Sequence, residues 1–510
     1  MACWSLLITL MCSVTVIQES NAYNVLFVGA IGSKSHQNFY KPIVEELAKS
    51  GHQVTLVTPF PSKGVKNNIR EVVVTEGNVG LMNLNHFEAS FVPGVGRFVH
   101  YLEACEKTLA HKEVQELSRE KYDVILLSNF FCDCYLSLIH QLKVPFIYVS
   151  PLRLLSHNAE DIGNPAYPAF LNFPILDYQH PFTFLQRTAN VILETFGTRM
   201  FRHMISNLEE SCRSAGLCLE DMPSFEEIQK NVSMIFLNSV RELEFPSRPY
   251  VPGIVHAGGI HCRPAKPLPQ DLQEWIEGSG EHGFIFFSLG SVVKSTDLPE
   301  KNRQMLIKVF SSLKQRVLWK WDDDVMPDLP PNVKIMKWLP QQDILGHSKL
   351  RLFMTHGGLF STFESIYHGR PIIGLPVFAD QQSNMKTVER QGWGKTILWK
   401  DMTEDILLQN IIAVMDNKQM QQHVQLQSRI MRDQPISPQE TVVFWTEYVI
   451  RYNGAKHLRC PIADMPWYKV YNVDVWAMML LLALLMLWIG VQLLRTIIKC
   501  FRRTPKNKTD

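Results

Sequence analysis

Val475 to Leu494 (VWAMMLLLALLMLWIGVQLL) runs for 20 positions without a charged residue. At about 1.5 Å of rise per residue a helix of that length covers about 30 Å, the thickness of bilayer hydrocarbon. The segment predicts a transmembrane helix over 475–494, with a long region before it and a basic tail over 495–510. Asp474 precedes it, whereas Arg495, Lys499, Arg502, Arg503, Lys506 and Lys508 follow it. That asymmetry leaves the tail cytosolic and everything before the helix luminal, a single-pass type I arrangement.

The other end agrees with a secretory route. Residues 3–17 are apolar and lead to Ser20-Asn21-Ala22, small residues at the spacing a signal peptidase prefers. A signal peptide is expected over 1–22, although its first residues carry no basic side chain. The last five residues place Lys506 and Lys508 five and three from the end. This resembles the dilysine retrieval signal of endoplasmic reticulum membrane proteins; a basic patch attracted to anionic lipid has similar composition. Asn231-Val232-Ser233 is a luminal glycosylation sequon, and Asn507-Lys508-Thr509 lies on the wrong side of the membrane to be used.

Seven cysteines fall on the luminal side: Cys105, Cys132, Cys134, Cys212, Cys218, Cys262 and Cys460. The number is odd, so at least one is unpaired within the chain, and the scatter without a CxxC argues against a zinc framework or a disulfide scaffold while leaving room for an occasional bridge. The formal net charge is +2, which gives no sign of a nucleic-acid partner.

Between the two ends the pattern is α/β. Asn24 to Gly29 (NVLFVG) reads as a buried strand, 36–50 carries Phe39, Ile43 and Leu47 at helical spacing, and 53–58 reads as a second strand. Residues 123–127 and 145–149 repeat the pattern and point to a parallel sheet with helices on both faces. From Phe245 to Pro269 the chain holds six prolines and three glycines, which predicts an interdomain linker over 246–270. A second α/β series comes next, with strands at 284–289, 316–320, 333–336, 351–354 and 372–375 and helices near 299–314 and 359–368. The expected organisation is a domain over 23–245, the linker, and a domain over 271–455, with a cleft between the carboxyl ends of their strands.

At 355–369 (THGGLFSTFESIYHG) a buried strand ends in His356-Gly357-Gly358 and runs into a helix. A helix N-terminus without Cβ atoms in the way, beside a histidine donor, suits a phosphate. It equally suits a tight turn capped by Ser361 and Glu364 in an S-x-x-E box. The surroundings decide. WLPQQDILGH at 338–347, FMTHGG at 353–358, and the spacing from Glu364 through Gly369-Arg370-Pro371 to Asp380-Gln381 resemble the signature of UDP-glycosyltransferases. The likeness extends to Ser35-His36, FSLGS at 287–291 and both chain ends, and Asp133-Cys134 and Gly163-Asn164-Pro165 are most similar to arthropod members.

The resemblance implies a GT-B fold, two Rossmann-like domains facing a cleft, anchored by the C-terminal helix. By similarity Trp338 stacks on uracil and Gln341 bonds its edge, although a tryptophan in an apolar stretch is also a core residue. Glu364 takes the ribose hydroxyls; His356, Ser291, Gly358, Ser361 and the adjoining backbone N–H groups meet the diphosphate; Asp380 and Gln381 bind the donor sugar. The UDP-sugar is a co-substrate, and no cofactor or metal is implied, Asp322-Asp323-Asp324 reading as a solvated turn.

His36 is implied as the base that deprotonates an acceptor hydroxyl for inverting attack, kept neutral by the helix end on which it sits. Its usual acidic partner is replaced by Ser128, with Asp133 the nearest carboxylate and Ser128 or Asn129 the groups that could orient the ring. The implied activity is transfer of glucose from UDP-glucose to a small lipophilic hydroxyl compound, in detoxification or in hormone or pigment conjugation, within the endoplasmic reticulum membrane. UDP-glucuronate as donor, or a catalytically impaired nucleotide-sugar-binding partner protein, is the alternative. Membrane lipid is a further expected partner, and homo- or hetero-oligomers are left open. Tyr167, Phe170, Phe173, Tyr178, Phe182 and Phe184 are expected to line an apolar acceptor pocket near the membrane.

Overall fold

The computed structural model describes residues 22–502 except 63, 65, 79–84, 86, 88–94, 174, 175 and 177. The expected signal peptide, apart from Ala22, and the tail lysines Lys506 and Lys508 lie outside the described residues.

Two parallel sheets organise the chain. The first contains β1 (Asn24–Val28), β2 (Gln53–Thr58), β3 (Ile69–Val73), β4 (Val124–Ser128), β5 (Phe146–Ser150), β6 (Met234–Leu237) and β7 (Ile254–His256), in the order β3-β2-β1-β4-β5-β6-β7. The second contains β8 (Phe284–Ser288), β9 (Arg316–Lys320), β10 (Val333–Met336), β11 (Leu350–Thr355), β12 (Ile372–Gly374) and β13 (Gly394–Thr396), in the order β10-β9-β8-β11-β12-β13. Strands β4, β5 and β8 are buried along their whole length. Both sheet faces are covered by helices, which is why these strands read as continuous apolar runs rather than as alternating ones. In each sheet the chain reverses direction across the order at one place, between β1 and β4 and between β8 and β11. Loops leaving the carboxyl ends of strands at such a point splay apart and open a crevice.

Among the helices, α1 (Lys34–Lys49), α2 (Val95–Leu109) and α3 (Phe184–Ser214) belong to the first domain. Helices α4 (Gln341–Leu345), α5 (Leu359–Tyr367) and α6 (Gln381–Arg390) belong to the second, and α7 (Pro438–Arg451) and α8 (Val473–Arg502) come after it. Helix α1 packs on its sheet through Phe39, Tyr40, Ile43 and Leu47, all wholly buried. Their spacing is that of one helix face.

Two boundaries move. The proline-rich stretch expected as linker over 246–270 contains β7, whose Ile254 and Val255 pair with Ile235 and Phe236, so the crossing between domains lies after His256. The expected second domain over 271–455 ends earlier, because α7 returns to the first domain. It starts at a capping box of Ser437 and Glu440 with Pro438 in its first turn, and its Val442 and Val449 are buried in the same cluster as Val25, Phe39 and Ile43. At about 1.5–3 kcal/mol per fully buried side chain, those two valines hold α7 firmly on the first domain.

Two disulfides are present where the cysteine scatter gave no reason to expect a framework. Cys105–Cys134 ties α2 to the turn after β4, and Cys212–Cys218 closes the end of α3, while Cys132, Cys262 and Cys460 remain unpaired. Helix α8 contains the expected span 475–494, and none of it is buried against protein. It is a candidate membrane span by length and composition.

Candidate active site

In the second domain the register brings two loops side by side. Thr355, the last residue of β11, pairs with Ser288 of β8 and with Gly374 of β12. The loop Leu289-Gly290-Ser291 therefore leaves the sheet level with His356. The His356 ring fills the space between Gly290 and Gly358: a Cβ on either would lie 2.6 or 2.5 Å from a ring atom. Gly290 also has φ +79°, so both its backbone and its missing side chain make room for the imidazole. Burial lowers the His356 pKa to about 4, with the Lys320 charge a lesser cause. Ser291 stands exposed at the lip.

Helix α5 starts immediately beyond. Its N-cap is Gly358 with no side-chain cap, and Ser361 is the third residue inside the helix, so the expected Ser361–Glu364 capping box does not form. Both side chains have another partner. Gln341, at the start of α4, donates its amide to Ser361 Oγ at 3.1 Å and to Glu364 Oε2. The first-turn N–H groups of α5 are left without a side-chain cap, as an anion site requires.

Glu364 is buried, which raises its pKa to about 7, with the Gln341 hydrogen bond pulling the other way. His261 Nε2 lies 3.9 Å from its other oxygen. Gln342 braces the pair from behind, donating to the His261 carbonyl at 3.0 Å and accepting from Arg263 N at 2.9 Å. Trp338, between β10 and α4, is 72% exposed, so its indole is not the core residue that an apolar stretch allows. Asp322, first of the three consecutive aspartates, is taken up by Ser295 and Lys320.

Asp380 and Gln381 stand at the head of α6. Asp380 Oδ2 accepts from Asn384 at 2.7 Å, and Gln381 Oε1 accepts from Val377 N and Phe378 N at 2.8 and 3.0 Å. The glutamine carbonyl thus shapes its own loop. Sequence reasoning missed Asn384 and Arg153: Arg153, from the loop after β5, donates to Asn384 Oδ1 at 3.3 Å across the two domains, and its charge acts on Asp380. No local signal marked that arginine, because the contact spans 231 positions.

On the first domain His36 is the third residue of α1, one loop beyond the end of β1. The imidazole packs edge-on against Phe130 at 4.4 Å, and Nδ1 faces Gly32, where a Cβ would lie 2.6 Å away. Nδ1 is buried with no hydrogen-bond partner among the described residues, and burial lowers the pKa to about 4.

Neither expected partner reaches this ring. Ser128 Oγ is 2.7 Å from the Tyr40 hydroxyl and accepts from Phe130 N at 3.2 Å. Tyr40 lies one helical turn beyond His36 and takes the serine that the imidazole was expected to meet. Asp133 is buried on the side of β5 and accepts from Gln229 Nε2 at 2.9 Å. Burial first, and the neighbouring Asp161 second, raise its pKa to about 7, and the adjacent Cys134 is held in its disulfide. Asn129 is occupied by Asn158 at 2.9 Å. Among the described residues no carboxylate meets His36.

Known proteins share this outline. Residues 85–509 match the family described as "UDP-glucoronosyl and UDP-glucosyl transferase". The chain is 32% identical to UDP-glucosyltransferase 2 of Dactylopius coccus over 90% of either sequence. It is 31% identical to UDP-glucuronosyltransferase 2C1 of Oryctolagus cuniculus, over 86% of this chain and 92% of that protein. Its fold is similar to that of the kitacinnamycin glycotransferase, with a TM-score of 0.58 and 16% identity over 84% of this chain and 99% of the other. Two Rossmann-like domains with their strand ends turned to one cleft are the GT-B arrangement.

Proposed function

The chain belongs to the UDP-glucuronosyl and UDP-glucosyl transferase family and is a UDP-glycosyltransferase; from that premise we propose that it glucosylates a small lipophilic hydroxyl compound with inversion and without a metal ion. The observation that carries the donor half is the half-buried Gln341 bonded to buried Ser361 and Glu364, beside an exposed Trp338. A base stacked on the indole would set its ribose over Glu364 and its diphosphate at the uncapped start of α5, where His356 supplies a donor. Asp380 and the amide nitrogen of Gln381 are the groups left for sugar hydroxyls.

In the reaction the acceptor oxygen bonds to the anomeric carbon as the bond from that carbon to the diphosphate oxygen breaks. The hydroxyl proton passes to His36, and UDP leaves with the bonding electrons. A neutral imidazole is in the right form to accept that proton. It has no carboxylate to stabilise it once charged, so an acidic phenol is a better acceptor than an alcohol. The likeness to the Dactylopius coccus glucosyltransferase favours glucose, and the family's other donor is glucuronate.

The buried, unpartnered Nδ1 of His36 supports a second reading, a protein that binds nucleotide sugar but turns it over poorly. Microsomes containing the full chain, given EDTA, either UDP-sugar and a panel of phenols and alcohols, separate these readings by mass spectrometry. We expect a phenyl β-glucoside whose yield EDTA leaves unchanged. Tight UDP binding without product from any acceptor supports the second reading, and product from UDP-glucuronate alone reassigns the donor.

The proposed address is the endoplasmic reticulum membrane with both domains luminal. Asn231 of the sequon is exposed at the end of a short helix, open to glycan transfer. A mobility shift on endoglycosidase H treatment that Asn231→Gln abolishes is the expected result.

A further inference from the structure

Of the aromatic side chains expected to line an acceptor pocket, Phe184 is exposed and Phe182 is buried. What the first domain sends across the cleft is a cation. Arg153 leaves the carboxyl end of β5, three residues beyond Ser150, in a loop pinned from its own domain. Asn238, fully buried just after β6, donates to the Pro151 carbonyl at 2.9 Å, and Ser150 Oγ donates to the Leu152 carbonyl at 3.3 Å. With two successive carbonyls held, the loop presents Arg153 to the second domain in a set direction.

Asn384, in the first turn of α6 and only 3% exposed, receives it. Its Oδ1 accepts from Arg153 Nη2 at 3.3 Å, while Nδ2 donates to the Gly357 carbonyl at 3.1 Å and to Asp380 Oδ2 at 2.7 Å. Both hydrogens of the amide are spent, and its oxygen is held by the other domain. Gly357 is the fixed point of the three, since it stands two residues beyond β11 with its N–H bonded to Thr355 Oγ1 at 3.4 Å. Asp380 belongs to a loop and takes its place from the amide. An Asn384 amide turned over would set its oxygen against the Asp380 carboxylate; a guanidinium on the oxygen side opposes that turn.

The charges point the same way. Glu244 is bound by the Tyr250 hydroxyl at 2.6 Å and faces Arg248 at 3.6 Å. Arg153 feels Arg248 as a like charge and Asp380 as an opposite one. Burial pushes the Asp380 carboxyl above its usual range, and the Asn384 hydrogen bond and the Arg153 charge both oppose that push. They favour the ionised carboxylate, which accepts from hydroxyl groups through both oxygens.

We propose that Arg153 is a positioning residue for the donor sugar: acting through Asn384 it sets the Asp380 carboxylate, so that the grip on the sugar, unlike the grip on UDP, is shared by the two domains. The inference rests on reading Asp380 as a group that binds sugar hydroxyls.

The test is calorimetry on the full chain in detergent micelles, titrated with UDP and with UDP-glucose, or with UDP-glucuronate where only that donor gives product. Arg153→Met should weaken UDP-sugar binding by about tenfold and leave UDP binding within about twofold. In an Asn384→Ala background the same substitution should add at most about twofold, because the two residues act in one chain of contacts. Equal weakening of UDP and UDP-sugar makes Arg153 a part of the domain packing alone and overturns the inference, as does no change with either ligand. A tenfold effect that persists without Asn384 also overturns it, by making the arginine a direct contact to the donor. Asp380→Ala separates this failure from failure of the sugar site. If it weakens the UDP-sugar while Arg153→Met does not, the site stands and the inference falls; if neither does, both fall. Should Arg153→Met fail to fold, Arg153→Gln, uncharged and too short to reach Asn384, is judged by the same comparison.

Discussion

The two sides of the cleft are built in opposite ways. On the donor side the side chains that would meet the nucleotide sugar are bonded to one another before any ligand arrives: Gln341 binds Ser361 and Glu364, Gln342 binds the His261 carbonyl, and Asn384 binds Asp380. On the acceptor side His36 Nδ1 is buried with no partner among the described residues, and the serine and aspartate nearest in sequence are committed to Tyr40 and Gln229. The donor site is held in shape whether or not it is filled. On the acceptor side, among the described residues, no carboxylate is placed to steady the charge that His36 would take on as the proposed base. A fold can keep nucleotide binding complete while leaving proton transfer unsupported, because the two sets of groups are carried by different domains.

The largest effect that bears on this contrast is expected from His36→Ala. General-base loss should lower kcat by about 10²–10⁴-fold, with UDP affinity at the wild-type value. Parallel loss of both in stopped-assay kinetics and calorimetry would sink the role of His36 as base and erase the division of labour between the domains.

Next in size is Glu364→Ala. It removes the proposed ribose acceptor and leaves the Gln341 amide with Ser361 alone, a loss of about 1–3 kcal/mol, so KM for the UDP-sugar should rise roughly 10–100-fold while KM for the acceptor stays put. A change confined to the acceptor KM would place the carboxylate on the wrong side of the comparison. Gly358→Ala tests the same side through sterics, since its Cβ would lie 2.5 Å from the His356 ring. It should weaken UDP binding with the alcohol-to-phenol preference unaltered.

Ser128→Asp sharpens the contrast instead of breaking it. If the unsupported imidazole limits turnover, a carboxylate at this buried position should raise turnover of alcohols about tenfold and of phenols little. It should also move the acid limb of the rate profile upward from about pH 4, where burial now holds His36. Uniform loss with both acceptor types would mean that the Tyr40–Ser128 hydrogen bond is needed for the fold and that an acid here cannot turn toward the ring.

Much of the second domain was legible because its site is local. Trp338 to Gln381 is one stretch whose spacing places α4, β11, α5 and the head of α6 around a single crevice, and periodicity located five of the domain's six strands and two of its helices to within a residue or two. The Ser361–Glu364 box failed because the helix already starts at Leu359, with Gly358 as its N-cap, and what holds the two side chains is Gln341, 20 and 23 positions away, which a local pattern does not contain. The first domain was legible in its strands but not in its site. Whether Ser128 or Asp133 meets His36 depends on which way two loops lean, and that is set by Tyr40, Gln229 and the Cys105–Cys134 bridge. The return of α7 to α1 was hidden for the same reason, since buried valines show that a helix packs but not against what.

The smallest expected effect is on pH dependence, where the two sides should titrate in different ranges. In the free protein burial raises the Glu364 pKa from 4.5 to about 7, so near neutrality its carboxyl is partly protonated and a poorer acceptor for ribose hydroxyls. UDP affinity should therefore fall as the pH drops below about 7, by at most tenfold per unit, and Glu364→Gln should flatten that dependence. His36, lowered from 6.5 to about 4, stays neutral across the same range, so kcat at saturating donor should hold until the pH approaches 4. The stability signs are opposite as well. The raised carboxyl lets the folded state keep a proton that the unfolded chain releases, so its contribution is full below about 4.5 and declines as the pH rises toward 7. The lowered imidazole contributes fully above 6.5 and loses that contribution as the pH falls toward 4. If UDP affinity and kcat instead fell together below pH 7, one group would have to serve both half-sites, and the independence of the two domains would be lost.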